Sequence, residues 1–189
     1  ARKMREYYLE AVQPIILKND SSAIYRLIGT AARDFNSILN GTEVLPKVGI
    51  VGEIYLKFNS FAHKRISDWL IGEGIEVVPP TRSAFFFQSF VNRKVREQTH
   101  LQKKRIPPFV MDWVYSLLMK RVDKVNRLAS EFRHFVPFTD VFDEAEHGKE
   151  VITLSAQFGE GWLLPAEIVS FAKSGVNNVI SLQPFGCIA

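Results

Sequence analysis

Apolar residues recur every three or four positions through the first forty-odd residues: Tyr8, Ala11, Val12, Ile15 and Ile16, then Ile24, Leu27, Ile28, Ala31, Phe35 and Ile38. A period near 3.6 lines up one face of a helix, so the pattern predicts two amphipathic helices, the second over about 22–39. Ser21 and Ser22 are candidate N-caps, because a short side-chain oxygen can accept from the orphan amides of a first turn; Asn40-Gly41 marks the stop. Pro46 is a boundary. Beyond it, Lys-Val-Gly-Ile-Val-Gly-Glu-Ile-Tyr from Lys47 is a short apolar run of the kind that forms a strand buried on both faces. Ser60 is the expected cap of a following helix with Phe61, Ile66, Trp69 and Leu70 on its inner face, ended by Gly72 and Gly74. Ile75 to Val78 then reads as a second strand, stopped by Pro79-Pro80. Strand, helix and strand without a hairpin-length link predict a parallel pair joined by a right-handed crossover.

The middle of the chain is helical again. Phe85, Phe86, Phe87 and Phe90 precede a basic stretch, and Pro107-Pro108 opens a long helix carrying Val110, Trp113, Val114, Leu117, Leu118, Val122, Val125 and Leu128. Such a stripe is expected to be core or a helix–helix contact. After Pro137, an acidic helix over about 140–154 is expected to present a solvated face; Gly159-Glu160-Gly161-Trp162 leads into a helix over about 165–173, and Val179 to Leu182 reads as a third strand. Short apolar strands alternating with helices predict an α/β fold: a doubly wound, mostly parallel open sheet of core order 2-1-3, with a helical insertion. The expected organisation is an N-terminal helical segment, 1–45, and a Rossmann-like domain, 46–189, truncated after its third strand. In the order 2-1-3 the winding reverses between strands one and three, and ligands of such sheets bind at the carboxyl ends there. Gly52, Glu53 and Tyr55 follow strand one; Pro184, Phe185, Gly186 and Cys187 follow strand three.

Composition narrows the class. Hydrophobic residues make up 47% and charged residues 23%, which removes disordered, collagen-like and disulfide-scaffold chains. No uncharged stretch approaches the roughly 18 apolar residues that cross a bilayer, and Arg2, Lys3 and Arg5 precede no signal-like core. The expectation is a soluble, cytoplasmic domain without a membrane partner. The net charge of +4 permits anionic partners without requiring them. Basic residues do cluster, at Arg93, Lys94, Arg96, Lys103, Lys104 and Arg105, opposed by Glu97 alone. Nucleic acid is not the expected partner, because no nucleic-acid-binding fold signature accompanies the cluster.

The single cysteine, Cys187, excludes an internal disulfide and any self-contained multi-thiolate centre. The chain also starts without Met and stops in an apolar, strand-like run, so it is expected to be a piece of a longer protein. His63, His100, His134 and His147 are scattered with no helix-borne zinc spacing, and no nucleophile elbow or dinucleotide glycine fingerprint occurs. Glu53, at the end of a buried strand, must either cap the following helix or face a cleft. Tyr55 and Asn59 join it as candidate pocket residues. Gly159, Glu160 and Gly161 could present amides to an anion, with Trp162 shielding it from water; a plain turn is the alternative.

Three segments carry a family resemblance: Lys47 to Asn59, Gly159 to Leu164, and Gly175 to Cys187 with its Pro-Phe-Gly-Cys ending. Over about 45–189 the chain resembles the iron–sulfur component family of 2-hydroxyacyl-CoA dehydratases, and more closely the related domain of large acyl-CoA dehydratase activase-related proteins. The resemblance implies that Cys187 is a ligand of a 4Fe-4S cluster, and that an ATP-dependent activase domain or subunit passes it a low-potential electron for dehydration of an acyl-CoA. The family's other cluster cysteines are missing, so the cluster is expected in the full-length parent and not in this chain, which alone should be inactive. The competing expectation is a non-enzymatic module in which 93–105 holds a nucleotide, CoA phosphate or nucleic acid.

Overall fold

The apolar run at 47–52 becomes the central strand of a three-stranded sheet. The computed structural model describes residues 1–39, 44–79, 82–103 and 106–187. Strand β1 (Lys47–Gly52) lies between β2 (Glu76–Val78) and β3 (Asn178–Leu182), and both pairings are parallel. The register sets Gly49 opposite Val78 on one side and Val179 on the other. The expected order 2-1-3 is therefore present, and the fold is α/β. Ile50 and Val51, consecutive residues whose side chains point to opposite faces, are both buried, so the sheet is covered on both faces at β1.

Eight helices occur among the described residues: α1 (Arg2–Leu17), α2 (Ser21–Ser37), α3 (Ile54–Phe58), α4 (Ile66–Gly72), α5 (Arg82–Gln98), α6 (Pro108–Ala129), α7 (Val141–Lys149) and α8 (Leu163–Lys173). None of them is long and apolar enough to cross a membrane. Several boundaries differ from expectation for local reasons. Asp20 rather than a serine caps α2, accepting from the amide of Ala23 at 2.9 Å; the predicted stop at Asn40-Gly41 lies outside the described residues. Instead of one helix from Ser60, the short α3 follows β1 directly and 60–65 form turns before α4. Asn59 makes this break, because its Oδ1 accepts from the amides of Phe61 and Ala62 at 3.0 and 3.2 Å, turning the chain. Leu70 is buried as expected, but Phe61 and Trp69 point outward. The acidic helix α7 is shorter than predicted, and its Glu144 is buried, not solvated: its carboxylate accepts from the hydroxyls of Thr139 and Ser170.

The chain divides into two compact units. One comprises α1, α2 and the stretch Asp112–Phe138 with most of α6. Within it Phe35 meets Tyr8 and Phe132 at centroid distances of 6.1 and 6.3 Å, and Asn126 bonds both the amide and the carbonyl of Phe138. The apolar stripe of α6 is graded: Val114, Leu118, Val122, Val125 and Leu128 are half-buried, while Trp113 and Leu117 are exposed. The second unit holds the sheet, α3, α4, α5, α7 and α8. Val51, Val78, Phe171 and Val176 form its core at the sheet, and Trp162, Leu163 and Val141 are fully buried. Gly52 ends β1 at φ 131°, and a Cβ there would stand 2.0 Å from the carbonyl oxygen of Leu182. Only glycine lets the two strands close at this point.

Candidate functional site at the carboxyl edge of the sheet

The ends of β1 and β3 stay paired one residue past Gly52, where the amide of Glu53 donates to the carbonyl of Leu182 at 3.0 Å. From this shared edge the two chains diverge. Beyond β3, the amide of Cys187 donates to the carbonyl of Pro184 at 3.1 Å, closing a reverse turn. Gly186, at φ 79°, occupies the third position of that turn, where a left-handed backbone is needed. The turn leaves Phe185 fully exposed and Cys187 half-buried.

Beyond β1, Glu53 is the N-cap of α3: its Oε2 accepts from the amide of Leu56 at 3.0 Å. A second carboxylate reaches the same helix start from more than a hundred residues away, since Glu160 Oε2 accepts from the amide of Ile54 at 3.0 Å. The helix end at the carboxyl edge, where an anion could have been held, is thus supplied with two carboxylates of the chain itself. Glu160 is buried and faces inward, so its role in the Gly-Glu-Gly turn is to anchor α3. Trp162 is fully buried at the start of α8, its indole N–H donating to Asn92 Oδ1 at 2.6 Å; it packs in the interior and does not line an open cleft.

The outer side of α3 borders a groove of about 490 Å³ lined by Ile54, Tyr55, Phe58, Asn59, Ser60 and Phe86. Tyr55 and Phe86 are mostly exposed, at 60% and 68%. The structure therefore brings Tyr55 and Asn59 together with two phenylalanines, with Glu53 capping the helix beside them. Gly159, Gly161 and Trp162 are not among the lining residues.

The inner side of α3 carries the feature that the sequence concealed. Lys57 is buried, with its Nζ 3.1 and 3.2 Å from the two carboxylate oxygens of Glu167 in α8 and 2.9 Å from Glu160 Oε1. One ammonium faces two carboxylates. Burial, which disfavours a charged carboxylate, pushes Glu167 up to about 7; the Lys57 charge and hydrogen bonds oppose that rise, and Glu160 and Glu144 add to it. Glu160 Oε1, although in ion-pair contact, lies outside the hydrogen-bonding direction of the ammonium. A lysine between Leu56 and Phe58 was a weak sign of such a cluster; its partners lie 103 and 110 positions away and leave no local pattern.

The basic stretch is partly engaged within the fold. Arg93 Nε donates to Glu97 Oε1 at 2.9 Å and its Nη2 to the carbonyl of Ile106 at 2.8 Å, while Lys94 Nζ stands 5.2 Å over the Phe142 ring. Arg96 and Lys103 are exposed, and Lys104 and Arg105 lie outside the described residues. No group of three or more metal-binding His, Cys, Asp or Glu side chains occurs among the described residues. No protein-family model, curated protein or solved structure matches the chain.

Proposed function

We propose that the chain is part of an iron–sulfur protein of the 2-hydroxyacyl-CoA dehydratase component type, with Cys187 as one cluster ligand and the α3 groove as the adjoining substrate surface. The observation that carries this proposal is the meeting of β1 and β3 at their carboxyl ends, which sets the Pro-Phe-Gly-Cys turn and the Glu53–Asn59 segment on one edge of a parallel sheet. That is where open α/β sheets bind ligands, if this sheet is taken as doubly wound.

The donor set of the 189 residues does not fit a whole cluster, because one thiolate is present where such clusters take about four. The remaining ligands are therefore assigned to residues outside these 189, and no reaction step is derived through the cluster. What this chain contributes is position. The turn 184–187 holds the thiol half-buried, and Tyr55, Phe58 and Phe86 offer aromatic walls that bind apolar parts of a substrate and displace water, with Asn59 and Ser60 as the polar groups of the rim. In this proposal an ATP-dependent activase is the electron donor, an acyl-CoA is the substrate, and the compartment is cytoplasmic.

The test is anaerobic preparation of the whole protein containing this chain, with and without Cys187→Ala. Iron and acid-labile sulfide should fall and the cluster's electron paramagnetic resonance signal should change in the variant. Equal iron and an identical signal would sink the ligand assignment. The phosphate-binding alternative predicts instead salt-sensitive binding of phosphate ligands that is lost on charge reversal of Lys103 and Lys104 and unaffected by Cys187→Ala.

A further inference from the structure

The groove and the buried cluster are two sides of the same short helix. Five residues are too few to hold a helix by their own hydrogen bonds, so α3 depends on what pins it. Apart from the Glu53 cap, the polar pins run through Lys57, Glu160 and Glu167: Glu160 holds the first amide, and Lys57, the fourth residue of the helix, ties it to Glu160 and Glu167. Tyr55 and Phe58, which line the groove, lie on the same helix as that lysine, and Asn59 is its C-cap.

We propose that the Lys57–Glu160–Glu167 cluster is a proton-operated latch, which holds α3 and its groove wall in place while it carries one extra proton and loosens them when that proton leaves. One buried ammonium neutralises one carboxylate; a second ionised carboxylate at the same site has no counter-charge, and desolvation makes that state costly. The neighbouring charges do not relieve it. The groups acting on Glu167 are Lys57 from α3, Glu160 from the turn before α8 and Glu144 from α7, and two of these three are acidic. Glu144 is itself held by the Thr139 and Ser170 hydroxyls, with His147 Nδ1 2.7 Å from Ser170 Oγ. The rise of Glu167 to about 7 sets the working range near neutrality. The latch goes beyond the iron–sulfur proposal and stands without it, because it rests only on the buried cluster and α3.

The closed state binds the proton more tightly than an open one, so opening becomes easier as pH rises toward 7 and levels off above it. Residue-resolved amide exchange, corrected for the intrinsic pH dependence, should show opening of Tyr55 and Leu56 increasing roughly twentyfold between about pH 5.5 and 7.5. Amides of α7 should stay unchanged relative to global unfolding. Carbon-13 NMR of the glutamate carboxyls should show one buried group titrating near neutrality. Glu167→Gln keeps the shape and removes the titration, so its α3 exchange should be flat over this range; Glu160→Gln serves the same purpose should the first variant not fold. The latch is overturned by α3 exchange that is flat in the wild type, by a Glu167→Gln protein that keeps the wild-type pH dependence, or by glutamate carboxyls that all titrate in the ordinary range.

Discussion

In the helical unit, α1 and α6 contain no buried residue, and the aromatic contacts of Tyr8, Phe35 and Phe132 are half-exposed; in the sheet unit, Trp162, Leu163, Val51 and Val141 are sealed from solvent together with four charged side chains, Lys57, Glu144, Glu160 and Glu167. The two also differ in how they treat charge. Arg33–Glu131 is an ion pair at 3.0 Å with both partners exposed, whereas Lys57, Glu160 and Glu167 meet at similar distances with their side chains at most 5% accessible. Distance is nearly the same, and environment decides the consequence. In water the charges are screened and the pair contributes little; in the interior the same geometry governs which protonation state is allowed.

The packed interior of the sheet unit carries the largest expected effect. Trp162→Ala removes the largest fully buried side chain and leaves Asn92 Oδ1 without its indole donor, so the sheet unit should lose about 3–5 kcal/mol in denaturant unfolding. A loss below about 1 kcal/mol would mean that the interior around α8 is not tightly packed. Next comes pH. Glu167 rises from 4.5 to about 7 in the folded chain, so its contribution is fully present below about 4.5 and is lost as pH rises through 7. For a group this deeply buried the loss is about 3 kcal/mol, read as a falling denaturation midpoint in the wild type that Glu167→Gln flattens. The smallest effect belongs to the exposed pair: Arg33→Ala should cost less than about 1 kcal/mol and shrink further in high salt. A larger, salt-insensitive cost would erase the contrast between the units.

Much of the sheet unit was legible in the residues. The apolar runs at 47–52 and 179–182 announced strands, and the strand, helix and strand over 47–78 pointed to parallel pairing. Glu53 was readable as either a cap or a cleft residue, and the structure makes it the cap of α3. The split of the expected helix into α3, turns and α4 was not legible, because it depends on Asn59 bonding two amides at once, a choice open to any asparagine near a helix. Glu144 misled for the opposite reason. In an acidic helix every carboxylate looks solvated, and only the hydroxyls of Thr139 and Ser170 from neighbouring segments distinguish the buried one.

By itself, then, the sequence determined what depends on short-range pattern: strands from apolar runs, helices from their period, and a lone cysteine three residues after Pro184 that cannot build a metal centre unaided. Tertiary structure alone decided that Glu160 reaches back to the start of α3 and that Lys57 is shared between Glu160 and Glu167. The reason is physical. A charged residue carries the same letter whether it is hydrated or buried, and its protonation is set by the neighbours that folding brings within about 4 Å, not by those beside it in the chain.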